Sequence, residues 1–166
     1  MIETQPLPDG FARAWVMGMT DLFDGDGDVA VALGELDRRA GDGDFGTNIT
    51  TAFRRTRTEV DKARLTTAQP QSFSAWLTAV SRGFLGTGGT SGPLFGMFFR
   101  DVARSGVADS PVLADLAAGL STGVATVQRY GKAHVGHKTM VDALAPAADA
   151  LARRAAAGAD PADALD

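Results

Sequence analysis

The chain has 166 residues, of which 45% are hydrophobic, with a net charge of −4 and no cysteine. That composition suits one domain with one core, argues against disorder, and excludes disulfides and thiolate metal sites. The acidic balance and the lack of a basic stripe argue against a nucleic-acid partner.

Apolar spacing predicts helices in succession. Asp9 is a plausible N-cap for the first, in which Phe11, Trp15, Met19 and Leu22 recur at spacings of four, four and three. A short second helix is expected from Asp28 to Arg39, with Val29, Leu33 and Leu36 on one side, ended by GDGDFG. A third should cover Thr47 to Lys62. Ser72 should cap a fourth, whose buried side is Phe73, Trp76, Leu77, Val80 and Phe84. After the glycine-rich GTGGTSGP, Pro93 suits the first turn of a helix carrying Leu94, Phe95, Met97, Phe98 and Val102. Ser110-Pro111 reads as the start of the next, running to Arg129 with Gly131 as its stop. Thr139 with Asp142 opens another, which Pro146 should kink or interrupt and Gly158 should end. Asp160-Pro161 looks like one more start. Strand alternation is poor and no repeat is present, so an all-α domain of about seven helices is expected. No apolar run reaches about 18 residues, so no membrane span is expected. The opening MIETQPLPDG lacks the basic and apolar parts of a signal peptide, which predicts a cytoplasmic protein.

Three glycine-rich polar loops carry the candidate chemistry: residues 41–48, 86–92 and 131–139. In GGTSGP the backbone amides stand at a helix N-terminus beside the hydroxyls of Thr90 and Ser91. That is either an anion site or a tight interhelical turn. Asp37, Asp42 and Asp44 can bring three carboxylates together at a helix end and its loop. Magnesium is held in this way, by few protein ligands plus phosphate oxygens; the alternative is a solvated acidic loop. A second cluster, Asp24, Asp26, Asp28 and Glu35, has the spacing of an EF-hand loop, but Val29 occupies the position that needs glycine, so a solvated turn is the better reading. His134 and His137 lack an evident third zinc ligand and read as polar loop residues. Neither a P-loop nor a hydrolase elbow is present.

Three segments together resemble a known family. LGELDRRAGDGDFGTNI is similar to the L-x-x-L-D-x-x-x-G-D-G-D-H-G-x-N-M signature of the nucleotide-binding (L) subunit or domain of dihydroxyacetone kinases. GGTSGPLFG resembles that family's G-G-A-S-G-P-L-Y-G, and GKAHVGHKTMVDALAPAADAL its G-x-A-x-x-G-D-K-T-M-x-D-A-L-x-P-A. Order and spacing agree from Phe11 to Leu151.

The resemblance implies an antiparallel barrel of eight helices with nucleotide, ATP or ADP, in the loops at one end. It implies Mg2+ on Asp37, Asp42 and Asp44, phosphates lined by Thr47, Asn48, Thr90 and Ser91, and Gly131 and Met140 near the nucleotide. Phe45, Gly46, Gly89 and Thr139 complete the expected nucleotide-binding positions. No residue is expected to act as acid or base, because phosphoryl transfer depends on positioning and charge neutralisation. The family phosphorylates dihydroxyacetone held on a separate K-like subunit or domain, and some members recharge ADP from a phosphotransfer protein.

Three departures follow from the same comparison. Phe45 stands where the family motif has histidine, and His137 where it has aspartate. The chain is expected to be a single such domain without the family's final helix and its arginine-bearing lid loop, leaving one pocket wall open and favouring a partner or a homodimer. A nucleotide-binding regulatory module with little kinase activity is the alternative expectation.

Overall fold

The computed structural model describes residues 5–24, 27–66, 72–106 and 110–165. Among these, eight helices occur: α1 Phe11–Leu22, α2 Asp28–Arg38, α3 Phe45–Thr66, α4 Phe73–Leu85, α5 Ser91–Ser105, α6 Leu113–Gly131, α7 Val141–Ala156 and the five-residue α8 Pro161–Leu165. Seven substantial helices match the expectation, and α8 begins where Asp160-Pro161 predicted, with Asp160 Oδ1 accepting from Ala162 N–H at 2.9 Å. The only β pairing among the described residues is one isolated antiparallel bridge, Pro6 with Val112.

Short connections turn the chain back on itself, so that α2 to α7 pack in sequence order and α1 lies against α3 and α4. The three polar loops therefore meet at one end. The core runs along a chain of aromatic rings. Phe23 stacks on Phe53 (5.2 Å between centroids), Phe53 meets Phe84 edge-on (5.5 Å), and Phe84 touches Phe95 and Phe99 (5.3 and 5.6 Å). Each fully buried ring of this kind contributes roughly 1.5–3 kcal/mol. Two polar contacts pin neighbouring helices within this apolar interior. Ser81 Oγ donates to the Gly96 carbonyl at 2.7 Å, and Thr126 Oγ1 donates to Asp101 Oδ2 at 2.6 Å.

Several local expectations are corrected. The residue before α1 is Gly10, in the left-handed region (φ 73°), rather than Asp9 acting as a side-chain cap. The fully buried residues of α1 are Ala12, Val16 and Thr20; Phe11, Trp15 and Met19 of the expected series pack half-buried against the core, while Leu22 is 46% exposed. In α2 only Leu33 of the expected Val29–Leu33–Leu36 stripe packs against the core; Val29 and Leu36 are exposed, Leu36 at 61%, and the buried residues are Ala30 and Gly34. Small residues bring α2 close to α3: a Cβ on Gly46 would lie 2.1 Å from the Ala30 carbonyl oxygen. Helix α3 starts at Phe45, so Phe45 to Asn48 form its first turn rather than part of a loop. Likewise Ser91 already belongs to α5. Helix α6 starts at Leu113, with Asp115 accepting from Val112 N–H at 2.9 Å, and its left-handed terminator is Lys132 (φ 50°), one residue beyond Gly131. Helix α7 continues through Pro146 without interruption. Ser72 caps α4 as expected, accepting from Ala75 N–H at 3.2 Å, and Gly158 (φ 71°) ends α7.

The first acidic cluster is structural where it is described. Arg57 of α3 bridges Asp21 and Asp24 at 2.6 and 2.8 Å, and Glu35 pairs with Arg38. Asp26 lies outside the described residues. These exposed pairs contribute at most about 1 kcal/mol each, and they engage two of the four carboxylates that an EF-hand would need, Asp24 and Glu35.

Candidate functional site

Asp37 sits at the end of α2, and Asp42 and Asp44 on the loop that follows. One carboxylate oxygen from each lies within 4.8 Å of the others. Backbone bonds hold this convergence. Asp37 O accepts from Ala40 N–H and Gly41 N–H (2.9 and 2.6 Å), which turns the chain sharply out of α2. Asp42 Oδ1 accepts from Asp44 N–H at 3.3 Å, an Asx-type turn. Asp37 Oδ2 reaches eight residues forward to accept from Phe45 N–H at 3.2 Å, satisfying an amide at the start of α3. Asp37 is half-buried; Asp42 and Asp44 are exposed.

The second loop folds onto this cluster. Gly89 adopts φ 77°, which disfavours a side chain, and a Cβ there would lie 3.1 Å from Asn48 Nδ2 and 3.9 Å from Asp44 Oδ2. Asn48 Nδ2 is buried and has no hydrogen-bond partner. A buried amide donor left unpaired costs roughly 1–3 kcal/mol, so an acceptor is called for at this junction. Thr90 and Ser91 follow directly, Thr90 exposed at the N-cap of α5 and Ser91 in its first turn. The third loop begins beside the same helix: a Cβ on Gly131 would lie 3.5 Å from Leu94. Thr139 and Met140 lie at the far end of this loop, where Met140 is half-buried before α7. The structure thus joins Asp37, Asp42, Asp44, Asn48 and Gly89 directly, and places Thr139 and Met140 further along.

Phe45 does not face the carboxylates alone. Its half-buried ring packs 6.4 Å from that of Phe95 on α5, so the residue replacing histidine has become an outer member of the aromatic core. His134 and His137 lie edge to face at 5.6 Å, both exposed. Among the described residues only the three aspartates form a group with metal-ligand spacing.

Asp142 organises the third loop more fully than a simple helix start would. Its carboxylate accepts from Gly136 N–H at 2.5 Å and Thr139 N–H at 2.9 Å, while Val141 N–H donates to Thr139 Oγ1 at 3.2 Å. The Gly136 bond, followed by that of Thr139, holds the Asp142 carboxyl below its ordinary range. A folded-state pKa below the unfolded value stabilises the fold above that unfolded value, and the stabilisation is lost as pH falls through the folded pKa. The melting-temperature difference between the unmodified chain and Asp142→Ala should therefore be largest near neutrality and shrink below about pH 4. A difference constant with pH would show that these bonds do not depend on the ionised carboxylate.

The fold is an all-α domain with an acidic loop and a glycine-rich loop brought together at one end. The chain belongs to the DAK2 domain family, whose match covers residues 39–166. It is 37% identical over 121 residues to the ADP-binding subunit DhaL of PEP-dependent dihydroxyacetone kinase 2 from Listeria innocua, covering 72% of this chain and 55% of that subunit. It is 32% identical over 153 residues to the dihydroxyacetone kinase of Citrobacter freundii, covering 90% of this chain and 26% of that enzyme. The crystal structure of the C. freundii kinase with AMP-PNP and Mg2+ superposes with a TM-score of 0.65 at 28% identity, over 90% of this chain and 26% of that one. The chain thus spans about half the length of the Listeria subunit. No described helix is long and apolar enough to cross a membrane.

Proposed function

We propose that this chain is the magnesium-dependent adenine-nucleotide-binding part of a dihydroxyacetone-type kinase. The observation that carries the reading is the convergence of Asp37, Asp42 and Asp44 within 4.8 Å beside the unpartnered Asn48 Nδ2. The donor set fits the metal: hard carboxylate oxygens, few in number, as magnesium takes when phosphates and water complete its shell. Asn48 fits a phosphate oxygen, which would accept from the amide that has no partner in the protein. Bound there, Mg2+ would neutralise phosphate charge. The chain's own part is positioning. The aspartates fix the metal, Asn48 and the first-turn amides of α5 orient phosphate oxygens, and Thr47, Thr90 and Ser91 offer hydroxyl donors beside them. Phe45, Gly46, Gly131, Thr139 and Met140 form the remaining wall of the same reading.

The acceptor, a small keto-sugar, would sit on a separate K-like subunit, and a phosphotransfer protein would serve as donor if ADP stays bound. The names of the Listeria relatives support the ADP form, and the AMP-PNP and Mg2+ in the neighbouring crystal structure support the metal-nucleotide pair. Titration of ADP and ATP by calorimetry, with and without magnesium, tests the reading. Magnesium-dependent binding is expected; no binding at millimolar nucleotide would overturn it.

The packing of Phe45 on Phe95 favours a second reading, a nucleotide-binding regulatory module with little transfer, because a phenyl ring cannot donate to phosphate. Phe45→His separates the two. In a kinase site the imidazole should raise magnesium-ADP affinity by roughly 1.5–3 kcal/mol for a charge-assisted bond. No gain would favour the module.

A further inference from the structure

A separate polar pocket lies between α2 and the first two turns of α3. It has a volume of about 290 Å³. It shares Gly43, Gly46 and Thr47 with the acidic loop and its edge, but none of the three aspartates lines it. Its polar wall consists of Thr47, Thr50, Thr51, Arg38, Arg54 and Glu35.

The hydroxyls set this wall apart. Elsewhere on long helices, Thr56, Thr58 and Thr122 each donate back to the carbonyl four residues earlier, at 2.9–3.1 Å. Thr47, Thr50 and Thr51 make no such bond and have no other partner among the described residues. The guanidinium of Arg54, one turn further along the same face, also has none. Arg38, whose side chain lies over Gly43, is held by Glu35 at the pocket wall. Three free hydroxyls, one free guanidinium and one held by an exposed carboxylate thus surround a single cavity.

We propose that this pocket binds a small phosphate monoester or inorganic phosphate, at a site that adjoins that of the metal and nucleotide and shares Gly46 and Thr47 with it. A phosphate dianion accepts more hydrogen bonds than a carboxylate and matches the donor count of this wall. Arginine forks are suited to phosphate oxygens, and the adjacent N-terminus of α3 adds a favourable field. The volume corresponds to roughly ten water molecules at about 30 Å³ each. That is more than phosphate alone needs and enough for a short ester. Glu35 competes with the ligand for Arg38 and so sets the affinity.

The test uses the full chain without magnesium or nucleotide, at constant ionic strength. Inorganic phosphate and glycerol phosphate are titrated separately, followed by amide chemical shifts. Saturable shifts are expected at Thr50, Thr51 and Arg54. Tighter binding of glycerol phosphate identifies an ester site, and equal affinity a phosphate site. Arg54→Gln should weaken binding about tenfold, the loss of one charge-assisted pair, with Arg54→Lys intermediate. Glu35→Gln should tighten it several-fold by releasing Arg38. Asp42→Asn, which disables the metal site, should not weaken it, so the two sites fail independently. Shifts confined to residues 86–91, or an Arg54→Gln protein that binds as the unmodified chain does, would overturn the proposal. All four variants alter exposed side chains, and a melt confirms that each is folded.

Discussion

Asp42→Asn is expected to weaken magnesium-dependent ADP binding about 10–100-fold, the range seen when groups that tune a metal site are altered. The loop should survive the change. Asparagine keeps the Oδ1 that accepts from Asp44 N–H, so the turn between Asp42 and Asp44 persists. What disappears is one of three charges within 4.8 Å. Without metal those charges repel, by about 1 kcal/mol or less for exposed groups in water. The metal-free variant should thus melt at the same temperature as the unmodified chain or slightly higher.

Ligand reverses that order. At 100 times its dissociation constant, a ligand stabilises the native state by about 2.7 kcal/mol. At the same concentration, affinity weakened 10–100-fold leaves roughly 1.4 to 0.4 kcal/mol. The two melting curves should therefore cross between the metal-free and the magnesium-ADP conditions. An equal upward shift in both proteins would remove Asp42 from the site. Asp37 separates charge from capping in the same assay. Asp37→Asn retains an acceptor for Phe45 N–H, whereas Asp37→Ala loses it and should cost about 1 kcal/mol more in the metal-free protein.

The helices that could be read from the sequence are those whose buried face is made of large side chains. Helix α4 buries Phe73, Trp76, Leu77, Val80 and Phe84, the stripe that its spacing predicted. Helix α2 misleads because its contact face is Ala30 and Gly34, which carry no hydrophobic signal, while Val29 and Leu36 face outward. Close backbone approach, not side-chain burial, selects that face. The same distinction governs the site. The aspartate triad is legible because its geometry is local, eight residues from first to last. The approach of Gly89 to Asn48 joins segments some forty positions apart, and the unpaired amide exists only once they meet. The replacement of histidine by Phe45 was visible, but its partner Phe95 was not, since ring contacts between α3 and α5 leave no trace in spacing. The pocket wall was not read from the sequence, although its helical spacing was present in it. Thr47, Thr50, Thr51 and Arg54 recur at three- and four-residue spacings, a polar stripe on one helical face.

Gly46→Ala should be the most damaging single-methyl change near the site. In an ordinary exposed helix position, alanine in place of glycine stabilises by roughly 0.8–1 kcal/mol. At Gly46 the added carbon would stand 2.1 Å from the Ala30 carbonyl oxygen and 3.0 Å from Gly34 N. Both obstacles are backbone atoms, so no side-chain rotation relieves them. Carbon–oxygen contacts settle near 3.3 Å or beyond, so α2 must retreat by about 1 Å. Such overpacking costs about 1–3 kcal/mol, or roughly 2–12 °C in melting temperature for a domain of this size. The retreat carries Asp37, at the end of α2, away from Asp42 and Asp44 on the loop beyond. Magnesium-ADP affinity should therefore fall with stability, although no ligand atom is altered. Gly18→Ala supplies the matched control, because Gly18 is an exposed residue of α1 with nothing within 4 Å of the added carbon. That variant should melt at or above the unmodified temperature and bind nucleotide unchanged. If Gly46→Ala behaved like Gly18→Ala, α2 would not rest on the first turn of α3, and the convergence of the three carboxylates would lose its support.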